Sequence, residues 1–229
     1  MATEHPQPPV SPDSQAIQIL ATEHWSLLAT RALTYQESLG RVNMFLTILS
    51  GAVIALALVA QADHFGPAFI SIAIFMLAVV FVVGFFTVAR LLALNRDDFQ
   101  WVLAMNRIRH AYLEMHPELE ANFTTSGHDD LQGALQTLAI PPAGASALGS
   151  IVHNLQTLPG VMSVLVAAVG GAIGGLVAAG FGAPAAVILL GGIATFVAAV
   201  LLMWLWSRRA MGGYGPNLNA RFPKAPASH

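Results

Sequence analysis

The chain has 229 residues, of which 55% are hydrophobic and only 10% charged, with a mean hydropathy of +0.65; an ordinary soluble domain carries about 25% charged residues. This excludes a soluble globule, and a formal net charge of -2 on so apolar a chain excludes disorder. The 10 basic against 12 acidic residues give no cationic surface for nucleic acid, and the lack of cysteine removes disulfides, thiolate catalysis and thiolate metal sites together.

Residues 1–13 are Pro-rich, with neither a basic residue nor an apolar core, so they read as a flexible N-terminal tail and not as a secretory signal. Residues 14–116 read as one long helical hairpin. Ser11 and Pro12 form a helix start, and no Pro or Gly interrupts the run from Asp13 to Leu39. No charge occurs between Arg41 and Asp63, which places a first membrane span near 42–62. Asp63, His64, Gly66 and Pro67 leave room only for a tight turn before a second span near 65–89. Beyond it, Leu91, Leu94, Trp101 or Val102, Met105, Ile108 and Tyr112 recur at three and four until Pro117.

The two extensions outside the spans are equal in length, about 40 Å at the helical rise, and this predicts that they pair as an antiparallel coiled coil. With the outer turn near residue 64, residue n lies roughly opposite residue 128 minus n, to within about one turn. Glu37 then faces Arg90, Arg31 faces Asp97 and Asp98, and Glu23 faces Arg107. Exposed pairs of this kind contribute about 0.3 to 1 kcal/mol each and fix register more than stability.

Residues 117–147 read as a polar linker containing one short helix at Leu131–Leu138, broken by Pro141, Pro142 and Gly144. Within it, His128, Asp129 and Asp130 are adjacent and point apart, so they do not form a ligand cluster. Residues 148–158 carry an apolar stripe of Leu148, Ile151, Val152, Leu155 and Leu158 and read as an amphipathic helix in the membrane interface. Residues 159–207 form a second transmembrane hairpin, with spans near 161–180 and 185–206 divided by Gly180, Gly182 and Pro184. Residues 208–229 form the C-terminal tail. The predicted fold is an all-α integral membrane protein with four transmembrane helices in two hairpins.

All 10 basic residues flank the spans on one side, and the two outer turns carry none, so the positive-inside rule puts both termini in the cytoplasm. The predicted location is the bacterial inner membrane. Trp204 and Trp206 before Arg208 and Arg209 suit an interfacial anchor.

Two features of the spans bear on function. In the first, Asn43, Thr47 and Ser50 or Gly51 follow one another along a helical row; it either lines a water-filled vestibule of an oligomer or supplies interhelical hydrogen bonds. In the third, Gly170, Gly171, Gly174 and Gly175 make a smooth face that suits close helix packing, within a subunit or between subunits, or else a conduction path or gating hinge. None of the four spans contains an ionisable group, which disfavours ion-coupled transport. His110, Glu114 and His116 share a helix but read as an exposed face. No catalytic, cofactor-binding or metal-ligating set is assigned, and the chain reads as a non-enzyme without cofactor.

A cytosolic helix entering the first span through Arg41, Asn43 and Phe45, a tight outer turn, and a second span emerging into Leu94–His116 with Asn95, Arg96, Asp97, Asp98, Trp101 and Arg107 resemble the SLATT-type two-helix membrane effector domains of bacteria. The resemblance covers residues 15–116 and is architectural. It implies oligomerisation and perturbation or perforation of the membrane when a cytosolic partner signals; the second hairpin departs from the two-helix plan. Otherwise the chain resembles uncharacterised actinobacterial membrane proteins. Two functions follow as expectations: an oligomeric, pore-forming or channel-like effector governed by the cytosolic hairpin, or a non-conducting scaffold that recruits a cytosolic protein. The expected partners are the lipid bilayer, further copies of the chain and a cytosolic protein.

Overall fold

The computed structural model describes residues 12–140, 157–211 and 219–224. Its elements are α1 (Pro12–Asp63), α2 (Pro67–Met115), a 3₁₀ helix (Pro117–Asn122), α3 (Leu131–Thr137), α4 (Leu158–Gly180) and α5 (Ala185–Met211). Among the described residues there is no strand, and α1, α2, α4 and α5 are each long and apolar enough to cross a membrane. At about 1.5 Å per residue, the 52 residues of α1 and the 49 of α2 are each more than twice the roughly 30 Å hydrocarbon thickness. The tail reading falls mainly on residues 1–11, and the interfacial helix on 148–156; both lie outside the described residues.

The turn between α1 and α2 is built on one carboxylate. His64 and Phe65 take left-handed backbone, with φ of 49° and 60°. Asp63 Oδ2 then accepts a hydrogen bond from the Phe69 N–H at 2.7 Å, which satisfies one of the open donors at the start of α2. Gly66 is required here, since a Cβ would sit 2.9 Å from Asp63 Oδ2 and 3.0 Å from its carbonyl.

The described chain divides into two compact units. One comprises residues 12–33, 98–140 and 219–224. Its apolar packing has two centres: Leu27 with Met105 and Ile108, bordered by Leu20, Trp101 and Tyr112, and Val102 and Leu103 with Ala134, bordered by Phe99 and Leu138. Of residues 117–147, expected as a linker, α3 and its C-cap contribute Ala134 and Leu138 to the second of these centres. α3 packs on α2, where Val102 and Leu103 on one face meet Ala134 and Leu138, while Met105 and Ile108 on another face meet Leu27; the 3₁₀ helix is exposed along its length.

The other unit comprises residues 34–97 and 157–211. Phe45, Val88, Leu91, Met162 and Val166 form the fully buried centre of its core, and Ala60, Phe69 and Ala73 pack next to the α1–α2 turn. Thr157 caps α4 by accepting from Gly160 N–H at 3.2 Å, with Pro159 in the first turn. Hydroxyls in the apolar helices are satisfied by their own backbone: Thr47 donates to the Asn43 carbonyl, Thr87 to Val83, Ser163 to Pro159 and Thr195 to Gly191.

Candidate functional site

The charges flanking the spans are organised as forks. In the unit with Leu27, Arg31 donates from Nε to Asp98 Oδ1 at 2.6 Å and from Nη2 to Oδ2 at 3.0 Å. In the unit with Phe45, Glu37 receives Arg90 through both oxygens, at 2.9 and 3.0 Å, and Arg41 at 2.8 Å. The Arg90 and Arg41 hydrogen bonds hold the Glu37 carboxyl down at about 2, against a small opposing effect of desolvation. Asp97, offered alongside Asp98 as a partner of Arg31, is exposed, and only Asp98 takes the Arg31 fork.

The third expected pair does not form. Glu23 is exposed, and Arg107 instead donates from Nε to Asp129 Oδ2 at 2.6 Å. The reason is burial: the Asp129 side chain is 0% exposed and needs a cation, whereas Glu23 is solvated and gains little from one.

Asp129 is the centre of a site that sequence reasoning set aside. Its carboxylate accepts three donors: Arg107, the Arg221 N–H at 3.0 Å and the Phe222 N–H at 2.8 Å. Burial by itself raises this carboxyl, but the two backbone donors and Arg107 outweigh it and hold it below its ordinary value. Asp130 acts twice, capping α3 through the Gly133 N–H at 2.6 Å and accepting the Lys224 N–H at 2.8 Å. Gly133 has to be glycine, because a Cβ would collide with the His128 carbonyl. The Phe222 ring stacks on His110 with centroids 4.0 Å apart, and its carbonyl lies 3.3 Å from His128 Nδ1. Residues 219–224 therefore lie as a strap over α2 and the turn preceding α3.

Beneath the strap, buried polar groups are linked. Asn106, 0% exposed, donates from Nδ2 to the His128 carbonyl and receives Arg109 Nη1 and Thr137 Oγ1 on its own oxygen. Thr137 Oγ1 in turn accepts the Ser126 N–H. His110 and Glu114 approach to 3.4 Å and His116 pairs with Glu118, so the helical trio does not converge; among the described residues no group of three or more His, Cys, Asp or Glu is arranged to hold a metal.

In the other unit the four glycines of α4 have different neighbours. A Cβ at Gly171 would lie 3.0 Å from the Gly192 carbonyl, and one at Gly174 would overlap the Thr195 side chain, so both face α5 at close approach. Gly175 has ordinary contact distances, and Gly170 lies against Phe81 of α2. Gly84, which sits among Val and Phe in sequence, is tighter than Gly171 though not than Gly174: a Cβ there would meet Val166 at 2.5 Å and Phe45 at 2.7 Å.

Asn43, Thr47, Ser50 and Gly51 lie on the exposed side of α1, while Phe45, Ala52 and Ala60 on its other side are buried. Among the described residues the Asn43 amide has no side-chain partner. Only 11% of the most apolar stretch of α1 and 6% of that of α5 is buried in the chain, against 28% for α2 and for α4; the outward faces of α1 and α5 are the uncovered ones.

Composition and fold define an all-helical chain with four helices able to cross a membrane. No protein-family model matches it, and neither a curated protein nor a solved structure does.

Proposed function

We propose that the chain is an oligomeric protein of the bacterial inner membrane, with both termini cytoplasmic, in which copies assemble through α1 around a polar path. In this reading the parts of α1 and α2 that exceed the bilayer form an antiparallel cytosolic hairpin that governs the assembly, as the resemblance to SLATT-type effector domains implies. The observation that carries the reading is the outward Asn43–Thr47–Ser50 row. An unpartnered amide facing hydrocarbon costs several kcal/mol, roughly, and a second copy or a water-filled lumen removes that cost. The excess length of α1 and α2, and their charge forks beside apolar spans, support the hairpin. All 10 basic residues falling on one side supports the orientation.

Ion flux from liposomes containing the purified chain tests this reading. Flux is expected, reduced by charge reversal at Arg31 or Asp98; tight liposomes containing demonstrably folded oligomer contradict it. A second reading, a membrane scaffold that recruits a cytosolic protein, is favoured by one observation: residues 117–140 are folded around a buried carboxylate that binds a linear segment. It predicts co-purification of a partner that depends on this region, with no flux.

A further inference from the structure

The strap is bound as a peptide ligand is bound. Successive main-chain N–H groups of Arg221 and Phe222 go to one buried carboxylate and that of Lys224 to the next, with one aromatic anchor stacked on an imidazole. Main-chain donors supply affinity, and the anchor together with the charges sets the choice of segment. Lys224 brings a cation to a pocket whose lining also includes Glu114 and Glu120. The groove is also larger than its occupant. Beside Lys224 a cavity of about 470 Å³ continues between α2 and the 3₁₀ helix, walled by Glu114, Glu120, Phe123 and Gln136, and among the described residues the strap enters it only at Lys224.

We propose that this groove is a recognition site for a linear protein segment of basic–aromatic–proline–basic pattern, and that residues 219–224 occupy it as an intramolecular competitor. A partner presenting such a segment with further basic residues displaces the strap, because it repeats the contacts to Asp129, Asp130 and His110 and adds ones in the acidic cavity. The occupied groove is the resting state, and the partner must outcompete a tethered segment whose effective concentration is high. The site functions in this way whether or not the assembly conducts.

The test uses the full-length chain in detergent and a fluorescent synthetic peptide of residues 217–226. Phe222→Ala removes the strap's own anchor and leaves the groove, so this variant is expected to bind the peptide at least about tenfold tighter than the wild-type chain, whose groove is mostly filled. Adding His110→Ala to that variant abolishes the gain, and a peptide with Ala at its Phe position does not bind. In the wild-type chain, excess peptide is expected to speed deuterium uptake in residues 219–224 several-fold, and a scrambled peptide leaves it unchanged; this arm needs no variant to fold. Equal peptide affinity in Phe222→Ala and wild type, or uptake at 219–224 unaffected by peptide, overturns the proposal.

Discussion

Arg31 holds Asp98 by two parallel hydrogen bonds across 67 residues of sequence, with side chains 25% and 19% exposed. The fork geometry fixes both distance and rotation between the two helices, which a single contact would not. A double-mutant cycle of Arg31→Ala and Asp98→Ala, read by thermal unfolding in detergent, is expected to give a coupling energy of about 1 kcal/mol. Arg31→Lys recovers less than half of it, since an ammonium cannot form the fork.

Asp129 is expected to matter more than any exposed charge. Asp129→Ala leaves Arg107 without its acceptor and two backbone donors open, and costs about 3 kcal/mol or more in the unit that contains it. Its carboxyl is held below the ordinary value of 3.8, so its contribution is complete above that value and is lost as pH falls through the lower folded value. Deuterium uptake at residues 219–224 is therefore expected to rise at strongly acid pH in the wild-type chain. In Asp129→Ala it is already high at neutral pH.

His24 predicts a different window. Burial first, and then Arg109, lower its pKa below 6.5, and its Nδ1 is buried without a partner among the described residues. The unfolded chain takes up this proton before the folded one, so stability is full above about 6.5 and declines as pH drops toward the folded value. His24→Gln, which cannot titrate, is expected to flatten thermal stability between neutral and mildly acid pH; an unchanged slope refutes the assignment.

Neighbouring glycines in α4 should respond unequally. Gly174→Ala forces a Cβ into Thr195, whose own Cβ would be 2.8 Å away, so backbone must shift, at a cost of about 1–3 kcal/mol. Gly175→Ala meets its nearest atom at 3.5 Å and is expected to be neutral. The comparison is read as the difference in unfolding temperature between the two variants.

The four apolar helices and the turn between α1 and α2 are legible because hydrocarbon excludes charge along a contiguous stretch: Arg41 and Asp63 bracket one such stretch without reference to any other residue. Two of the charge pairs were legible by reflecting the sequence about that turn. Arg107 pairs outside that pattern because its partner lies 22 residues away in a segment without periodicity, and reflection about the turn points Arg107 at residue 21, near the exposed Glu23, and has no place for Asp129. The strap was out of reach for the same reason, its hydrogen bonds to Asp129 and Asp130 spanning 92 to 94 residues. A local signal did exist at Asp130, a capping residue directly before the apolar positions of α3. Gly84 carried none: only the nearness of Phe45 and Val166 explains it.

That copies of the chain cover the outward row of α1 is tested by the mass of the particle extracted with its surrounding lipid. A particle of several copies that falls toward the 24.1 kDa single chain when Asn43 and Thr47 are replaced by Leu and Val is the expected result. A folded single chain in the unsubstituted protein contradicts the account.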